Sequence, residues 1–484
     1  MQKKMLVAYS ASSTFTSTIV EYLVGLKKYV HFDIDYLHVT HDAIPDFDLN
    51  DYDVVFHNFC ARLCFEGYVS EAYREELKNF RGLKIVSVQD DYDRTSVLHR
   101  QIRELGFHVV VTCIQPEFWH LAYPEAEIPG VTLVQALTGY VPEDLSDAHV
   151  TPKPLAERTV TVSYRGGHLP AKYGRLGWEK CEIGRYVREE CERRGVSHDI
   201  STEVEDRVYG DDWYALLANS RAVLGAESGS NAFDFDGSIE RREAELSKEL
   251  QREATYSDLK EELDRVEEHF NVGQISPRVF ECALLKSPMV LFRGSYSDAL
   301  EPDVDYICLE KDFSNLDDVF AQLQDLDHLE RVANNAYRNL IESGQYNLSV
   351  LGKIVTDAAN AGLSKYISTD RNDLMRCVTA PWAVRVERAR ENSLRSQAMT
   401  AVLSERATEK PLSVSDFEEK LIGVLAARAE DERHKLKAHI RQVFKDLRRV
   451  FVLAIGRAVG RLFGRGIVVA IGRNPIVRRV VRRM

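Results

Sequence analysis

The sequence predicts an α/β chain of two doubly wound domains followed by a helical extension and a basic tail. Three observations predict this. β-Branched runs such as MLVAYS, YDVVFHNF, LKIVSVQ and HVVVTCI read as strands buried on both faces, as in a parallel sheet covered by helices. Amphipathic helical stretches alternate with them. A polar segment with Pro142, Pro152 and Pro154 then separates this pattern from a second one of the same kind.

In chain order, residues 1–141 give the strand MLVAYS, the helix TSTIVEYLVGLKK, and the strands HFDIDYLHV, YDVVFHNF, LKIVSVQ and HVVVTCI. Helices EAYREELKNF and VLHRQIRELG lie between the later strands. Residues 142–158 form the linker. Residues 159–364 form the second domain, with strands TVTVSY, RAVLGAE, SPMVLF and DYICL. Its helices are EIGRYVREECERRG, DDWYALLANS, SPRVFECALLK, LDDVFAQLQD and HLERVANNAYRNLIESG. An insertion, 229–275, interrupts it. Charges on nearly every turn of the insertion's second half predict a solvated helix or hairpin. Residues 365–432 read as a polar helical extension and 433–484 as a basic tail.

The chain has 484 residues, 44% hydrophobic and 9% aromatic, which excludes wholesale disorder. Its net charge of −12 argues against a general nucleic-acid binder. Residues 433–484 carry 15 Lys and Arg against one acid, Asp446, so an acidic body ends in a strongly basic segment. MQKKMLVAYS lacks the long apolar core and cleavage site of a secretory signal. No charge-free apolar run reaches membrane-spanning length. Eight cysteines without a CxxC predict reduced thiols in a cytoplasmic protein; a zinc site or disulfide framework is not expected.

Four segments carry candidate chemistry. In NVGQISPRVFECALLK, Ser276 and Pro277 mark a helix start, whose free N–H groups favour anions. Arg278 in the first turn offers a fork donor for a diphosphate, and Glu281 could accept two hydroxyls; their spacing alone favours a local i,i+3 ion pair. In TVTVSYRGGHLPAKYGRLG, a strand runs into Arg165, Gly166 and Gly167, followed by Lys172 and Arg175, which suits phosphate oxygens or an ordinary tight turn. Asp234 and Asp236 in FDFDG have the spacing of a metal-holding pair, but the sequence is also a common turn, and the turn is expected. In VSVQDDYDRT, Asp90 and Asp91 follow a strand, where one could serve as general base toward an acceptor hydroxyl. His41 and His57 also end strand-like runs, Tyr140 in LTGYVPEDL ends the first domain, and all three are expected to be structural.

In the tail, Arg457, Arg461 and Arg465 recur every four residues among Phe451, Leu462, Phe463 and other apolar residues. This fits a basic amphipathic helix lying on an anionic membrane surface, or one packed on an acidic protein surface.

YGDDWYALLANSRAVLGAESGSN, SPRVFECALLKSPMVLF, RGSYSDALEPDVDYICLEKDFSNLDDV and ERVANNAYRNLIESGQYN together resemble glycosyltransferases of the GT-B fold. The resemblance is to the bacterial group with a CgeB-like, glycosyltransferase family 1-like C-terminal domain. It implies two Rossmann-like domains facing a cleft, a nucleotide-sugar donor in the second domain and an acceptor in the first. It implies that Glu281 holds the donor ribose and that Arg165 and Lys172 support the leaving diphosphate. Related retaining enzymes carry a Glu eight residues before the ribose carboxylate, where this chain has Gly273, so a retaining or inverting outcome stays open. The expected activity is transfer of a hexose to a glycan or lipid-linked glycan, in cell-surface polysaccharide assembly on the inner face of the membrane. No cofactor or metal is expected. The alternatives are a sugar-nucleotide epimerase or hydrolase of the same fold and a non-catalytic scaffold.

Overall fold

A computed structural model describes residues 3–14, 17–41, 43–45, 48–141, 152–367, 394, 396–402 and 423–424. Most of the expected linker and of the helical extension, and all of the basic tail, lie outside the described residues. The chain divides into two compact units, Met1–Glu419 and Lys420–Met484. Only residues 423–424 of the second are described, both helical. Everything below concerns the first.

The first domain comprises β1 (Lys4–Tyr9), α1 (Ser17–Tyr29), β2 (Asp33–His38), β3 (Val54–His57), α2 (Glu71–Asn79), β4 (Leu83–Ser87), α3 (Thr95–Leu105), β5 (Val109–Thr112), α4 (Trp119–Ala122) and β6 (Thr132–Gln135). All six strands are parallel, in the order β2-β1-β3-β4-β5-β6. Every residue of β3, β4 and β5 is buried, including Lys84 and His57, as expected of central strands sandwiched by helices.

The second domain continues with β7 (Val160–Arg165), α5 (Gly174–Arg194), β8 (His198–Ser201), α6 (Gly210–Ala218), β9 (Ser220–Gly225), α7 (Ser238–Leu250), α8 (Tyr256–Glu267), α9 (Pro277–Leu284), β10 (Met289–Phe292), β11 (Ile307–Leu309), α10 (Leu316–Gln322), α11 (Leu326–Tyr337) and α12 (Leu348–Tyr366). Its five strands are also parallel, ordered β11-β10-β9-β7-β8. The winding reverses between β1 and β3 in one sheet and between β7 and β9 in the other. Ligands of open α/β sheets bind outside the carboxyl ends of strands at such reversals. The two doubly wound domains expected from the sequence are present.

Two connections join the domains at one place: Val141 N–H donates to the Tyr346 carbonyl at 2.8 Å. From there α12 returns to the first domain and packs on α1, close enough that a Cβ on Gly352 would run into Tyr29. The insertion makes a further link. Phe233, Phe270 and Val272 at its base belong to the first domain's core, the two Phe rings stacking at 3.9 Å. Asp234 N–H donates to the Tyr92 carbonyl and Ser96 N–H to the Phe235 carbonyl. Meanwhile Tyr256, Leu259 and Leu263 of α8 pack with Ala171 and Trp178 of the second domain. The insertion therefore braces the two sheets with their carboxyl ends turned toward each other.

Candidate functional site

Loops from the carboxyl ends of both sheets meet. Gln274, before α9, donates to Gln115 beyond β5 at 3.4 Å, and the Thr138 hydroxyl donates to the Ile275 carbonyl. Ser276 caps α9 through its extended backbone without a side-chain hydrogen bond, and Pro277 takes the first helical position. The loop before α9 pairs with the end of β9 through reciprocal Ser228–Gln274 backbone bonds at 2.8 and 2.9 Å. This fixes the start of α9 beside the carboxyl end of β7.

Arg278 reaches across to β7, where its Nη2 donates to the Arg165 carbonyl at 2.5 Å. Its guanidinium lies between two aromatic faces, 5.0 Å from the Tyr164 ring and 5.3 Å from Trp213. Its Nε is buried without a partner among the described residues. Glu281 is buried; its Oε2 accepts the Trp213 indole N–H at 2.8 Å, and no hydrogen bond to its Oε1 is made among the described residues. Burial raises the Glu281 carboxyl above its usual range, against the opposing effects of Trp213 and Arg278. The i,i+3 ion pair that the spacing allows is not made.

Beside Arg278 lies Lys180 on α5, which sequence reading did not single out. It has no ion-pair or hydrogen-bond partner for its ammonium among the described residues. Burial, helped by the nearby Arg278 charge and opposed by Asp90, pushes it down to about 8. Two cations without carboxylate partners thus stand together at the switch point of the second sheet. Desolvated cations without carboxylate partners favour an anionic ligand.

The other predicted residues are placed differently. The Arg165 guanidinium turns to β8, donating to the Asp199 carboxylate at 2.7 Å and to the Asp199 and Asp206 carbonyls at 2.9 Å. Only its backbone carbonyl reaches the site. Gly166 is required because the Tyr164 ring folds back over it, and Gly167 faces Arg207. Lys172 is buried against the first domain, 3.2 Å from Asp93 Oδ1 and 3.6 Å from Glu240 Oε2. Arg62 pairs with the same Asp93 at 2.5 Å, and Arg94 with Glu240 at 2.9 Å. Arg175 points to the insertion, toward Tyr256 and Asp264.

The two aspartates proposed as base part company. Asp90 is half exposed, accepts the Tyr92 hydroxyl at 2.8 Å and lies 3.2 Å from Arg62. Asp91 is fully buried, bonded by the Thr112 hydroxyl at 2.6 Å and by the Tyr123 hydroxyl, with Oδ2 unpartnered. Burial pushes its carboxyl up to about 6. Asp91 therefore faces the interior of the first domain, and Asp90 the side of Lys180. His57 is buried between Tyr73 and the Ala61 carbonyl and is pushed down to about 4 by burial. Tyr140 is buried and accepts the Leu137 N–H, whereas His41 is exposed beside Ser12.

Asp234 accepts the Ile239 and Glu240 N–H groups at 3.2 and 3.0 Å, and Asp236 accepts Ser238 N–H at 2.9 Å. Both carboxylates cap the first turn of α7. Among the described residues no cluster of three His, Cys, Asp or Glu can hold a metal. The seven described cysteines are free and buried. No helix among the described residues is long and apolar enough to cross a membrane.

Gly273 has a structural reason. A Cβ there would run into the Glu227 carboxylate, as would one at Gly294. Glu227, beyond β9, accepts the Ser295 N–H at 2.7 Å, the Ser295 hydroxyl at 3.1 Å and the Tyr296 N–H at 3.4 Å. It thereby grips a turn in which Tyr296, Ser297 and Asp298 all have positive φ, a conformation costly for non-glycine residues. Lys311 lies between Glu227 at 3.4 Å and the buried Glu179 at 3.0 Å. Trp213, Lys180 and Glu227 are the residues missed from sequence. Trp213 and Glu227 sat in a stretch read for its family likeness and secondary structure, and Lys180 fell between the glycine segment and the next helix read.

No family model matches the chain, and no curated protein matches it. Among solved structures, it is similar to HepE of Anabaena in complex with UDP, at 10% identity and a TM-score of 0.42, over 74% of this chain and 100% of that one. It is also similar to an α-glucosyltransferase in complex with UDP-glucose and DNA containing an abasic site, at 12% identity and a TM-score of 0.43, over 74% and 99%. A third is sucrose-phosphate synthase from Thermosynechococcus elongatus, at 10% identity and a TM-score of 0.40, over 75% and 100%.

Proposed function

We propose that this chain is a nucleotide-sugar-dependent glycosyltransferase whose donor diphosphate lies between Arg278, Lys180 and the start of α9. The observation that carries the reading is the unpaired cation couple at the β7–β9 switch point, three residues from a buried carboxylate with a free oxygen. Arg278 and Lys180 neutralise charge as the sugar–phosphate bond breaks, and they are fixed before the reaction, so no reorganisation is required then. Glu281 Oε1 accepts a ribose hydroxyl. Asp90, on the opposing sheet, orients the acceptor hydroxyl and receives its proton.

The acceptor we assign is a glycan or a lipid-linked glycan, with transfer of a hexose in cell-surface polysaccharide assembly. That choice is supported by the sequence of 433–484, whose 15 cations suit an anionic membrane surface at the cytoplasmic face.

The test is a thermal-shift screen of nucleoside diphosphates and their sugars, followed by product analysis with and without glycan acceptors. A ligand at 100 times its Kd should stabilise the fold by about 2.7 kcal/mol. Stabilisation by one nucleotide sugar and acceptor-dependent sugar transfer are expected. Donor turnover that ignores acceptor would reassign the chain to hydrolysis or epimerisation. Absence of any nucleotide response would overturn the reading.

A further inference from the structure

Arg278 and Glu281 are oppositely charged, three residues apart on one helix, and partly buried. Left to themselves they would form an i,i+3 pair and neutralise each other. They do not. Both instead engage the same side chain, Trp213, from a helix remote in sequence. The indole N–H binds Glu281 Oε2 at 2.8 Å, and the indole face lies 5.3 Å from the Arg278 guanidinium carbon. Tyr164 covers Arg278 from its own side at 5.0 Å.

We infer that Trp213 is a positioning residue that holds Glu281 and Arg278 apart, so that the carboxylate stays open to a hydroxyl pair and the guanidinium to a diphosphate. This rests on the donor-site reading above and names the part that keeps the site from closing on itself. Three features support it. Trp213 is the one hydrogen-bond donor to the Glu281 carboxylate among the described residues, and the Arg278 charge acts on that carboxylate. Arg278 Nε is buried without a partner, and the one hydrogen bond to the Glu281 carboxylate among the described residues falls on Oε2, so neither group is saturated. The Arg278 Nη2 bond to the Arg165 carbonyl anchors the guanidinium on the β7 side, away from its own helix. An indole supplies both functions at once, a donor at its edge and a π face for a cation. Phenylalanine keeps the face and loses the donor.

The experiment measures the affinities of UDP and of inorganic pyrophosphate by calorimetry on the full chain, with circular dichroism and melting temperature as fold controls. UDP reads both the ribose and the anion contacts; pyrophosphate reads the anion contacts alone. In Trp213→Phe, Glu281 is released onto Arg278, and both ligands should bind at least ten-fold more weakly. In Trp213→Phe combined with Glu281→Gln, no carboxylate remains to capture Arg278. Pyrophosphate affinity should then return to within about three-fold of wild type while UDP stays weak.

A packing role alone would weaken both ligands without this rescue, and that result would overturn the proposal. So would undiminished binding by Trp213→Phe. Trp213→Leu, alone and with Glu281→Gln, replaces the Phe pair if that pair fails to fold, with the same rescue expected. The donor-site reading fails separately. If Arg278→Ala and Glu281→Gln in the wild-type background both leave UDP affinity unchanged, that reading falls whatever Trp213 does.

Discussion

Lys172 and Lys180 lie close together on the segment that leaves β7, and they meet opposite surroundings. Lys172 is buried among carboxylates of both domains. Burial works against its charge, but Asp93, Tyr173 and Glu240 outweigh it and its ammonium is held above the ordinary range. Lys180 is desolvated without a carboxylate partner and falls to about 8. One lysine is a structural tie across the domains; the other is a charge kept available. We therefore rank the two lysines by whether the charge is already satisfied, and not by residue type or closeness to a glycine pair.

The largest effect expected from breaking this contrast is at Arg278. Arg278→Ala removes a charge-assisted contact worth about 1.5–3 kcal/mol, so UDP affinity measured by calorimetry should fall roughly ten- to hundred-fold with the fold intact. The paired cluster should respond in stability instead. Lys172→Met leaves Asp93 with Arg62 and the Tyr173 hydroxyl as its remaining partners, and denaturant unfolding should show a loss of about 1–3 kcal/mol. No change in stability would mean that the interdomain tie is incidental.

The pH dependence sharpens the same contrast. UDP affinity should decline as pH rises through about 8 and above, because Lys180 loses its proton there and the anion loses a partner. Titration of the ligand phosphate itself acts at lower pH, so a flat profile between pH 7.5 and 9.5 would remove Lys180 from the site. Asp91 gives a smaller effect on the fold. Its carboxyl titrates near 6 in the folded chain and near 4 when unfolded, so the folded state holds the extra proton between those values. Stability from this group is therefore greatest at low pH and falls as pH rises through about 6. Asp91→Asn should gain relative to wild type over that window by on the order of 1–2 kcal/mol, read from paired unfolding curves at pH 4 and 7. A constant difference across the window would contradict a buried, ionising Asp91.

Much of the fold was legible in the sequence, because short β-branched runs such as VVFH and LKIVS, alternating with amphipathic helices, fit buried central strands of a parallel sheet. The start of α9 was legible too, from Ser276 followed by Pro277. The insertion's role was not. Its charged helices read as solvated, and their outer faces are, but Phe233, Phe270 and Val272 at its base complete the other domain's core, a pairing no local pattern announces. The site we propose was half legible. Arg278 and Glu281 came from helix-start logic and family likeness. Arg165 and Lys172 had equal claims on paper, and their contacts with Asp199 and Asp93 are why the proposal prefers Lys180. Trp213 was hidden inside an ordinary amphipathic helix, since its importance lies in a contact with a residue far along the chain.

The most direct test of the account compares UDP affinity in Lys180→Met and Lys172→Met, measured side by side by calorimetry at pH 7. The account predicts at least a ten-fold loss for Lys180→Met, about 1.4 kcal/mol or more, and a change within two-fold for Lys172→Met. A loss at Lys172 with none at Lys180 would place the diphosphate on the paired cluster and contradict it.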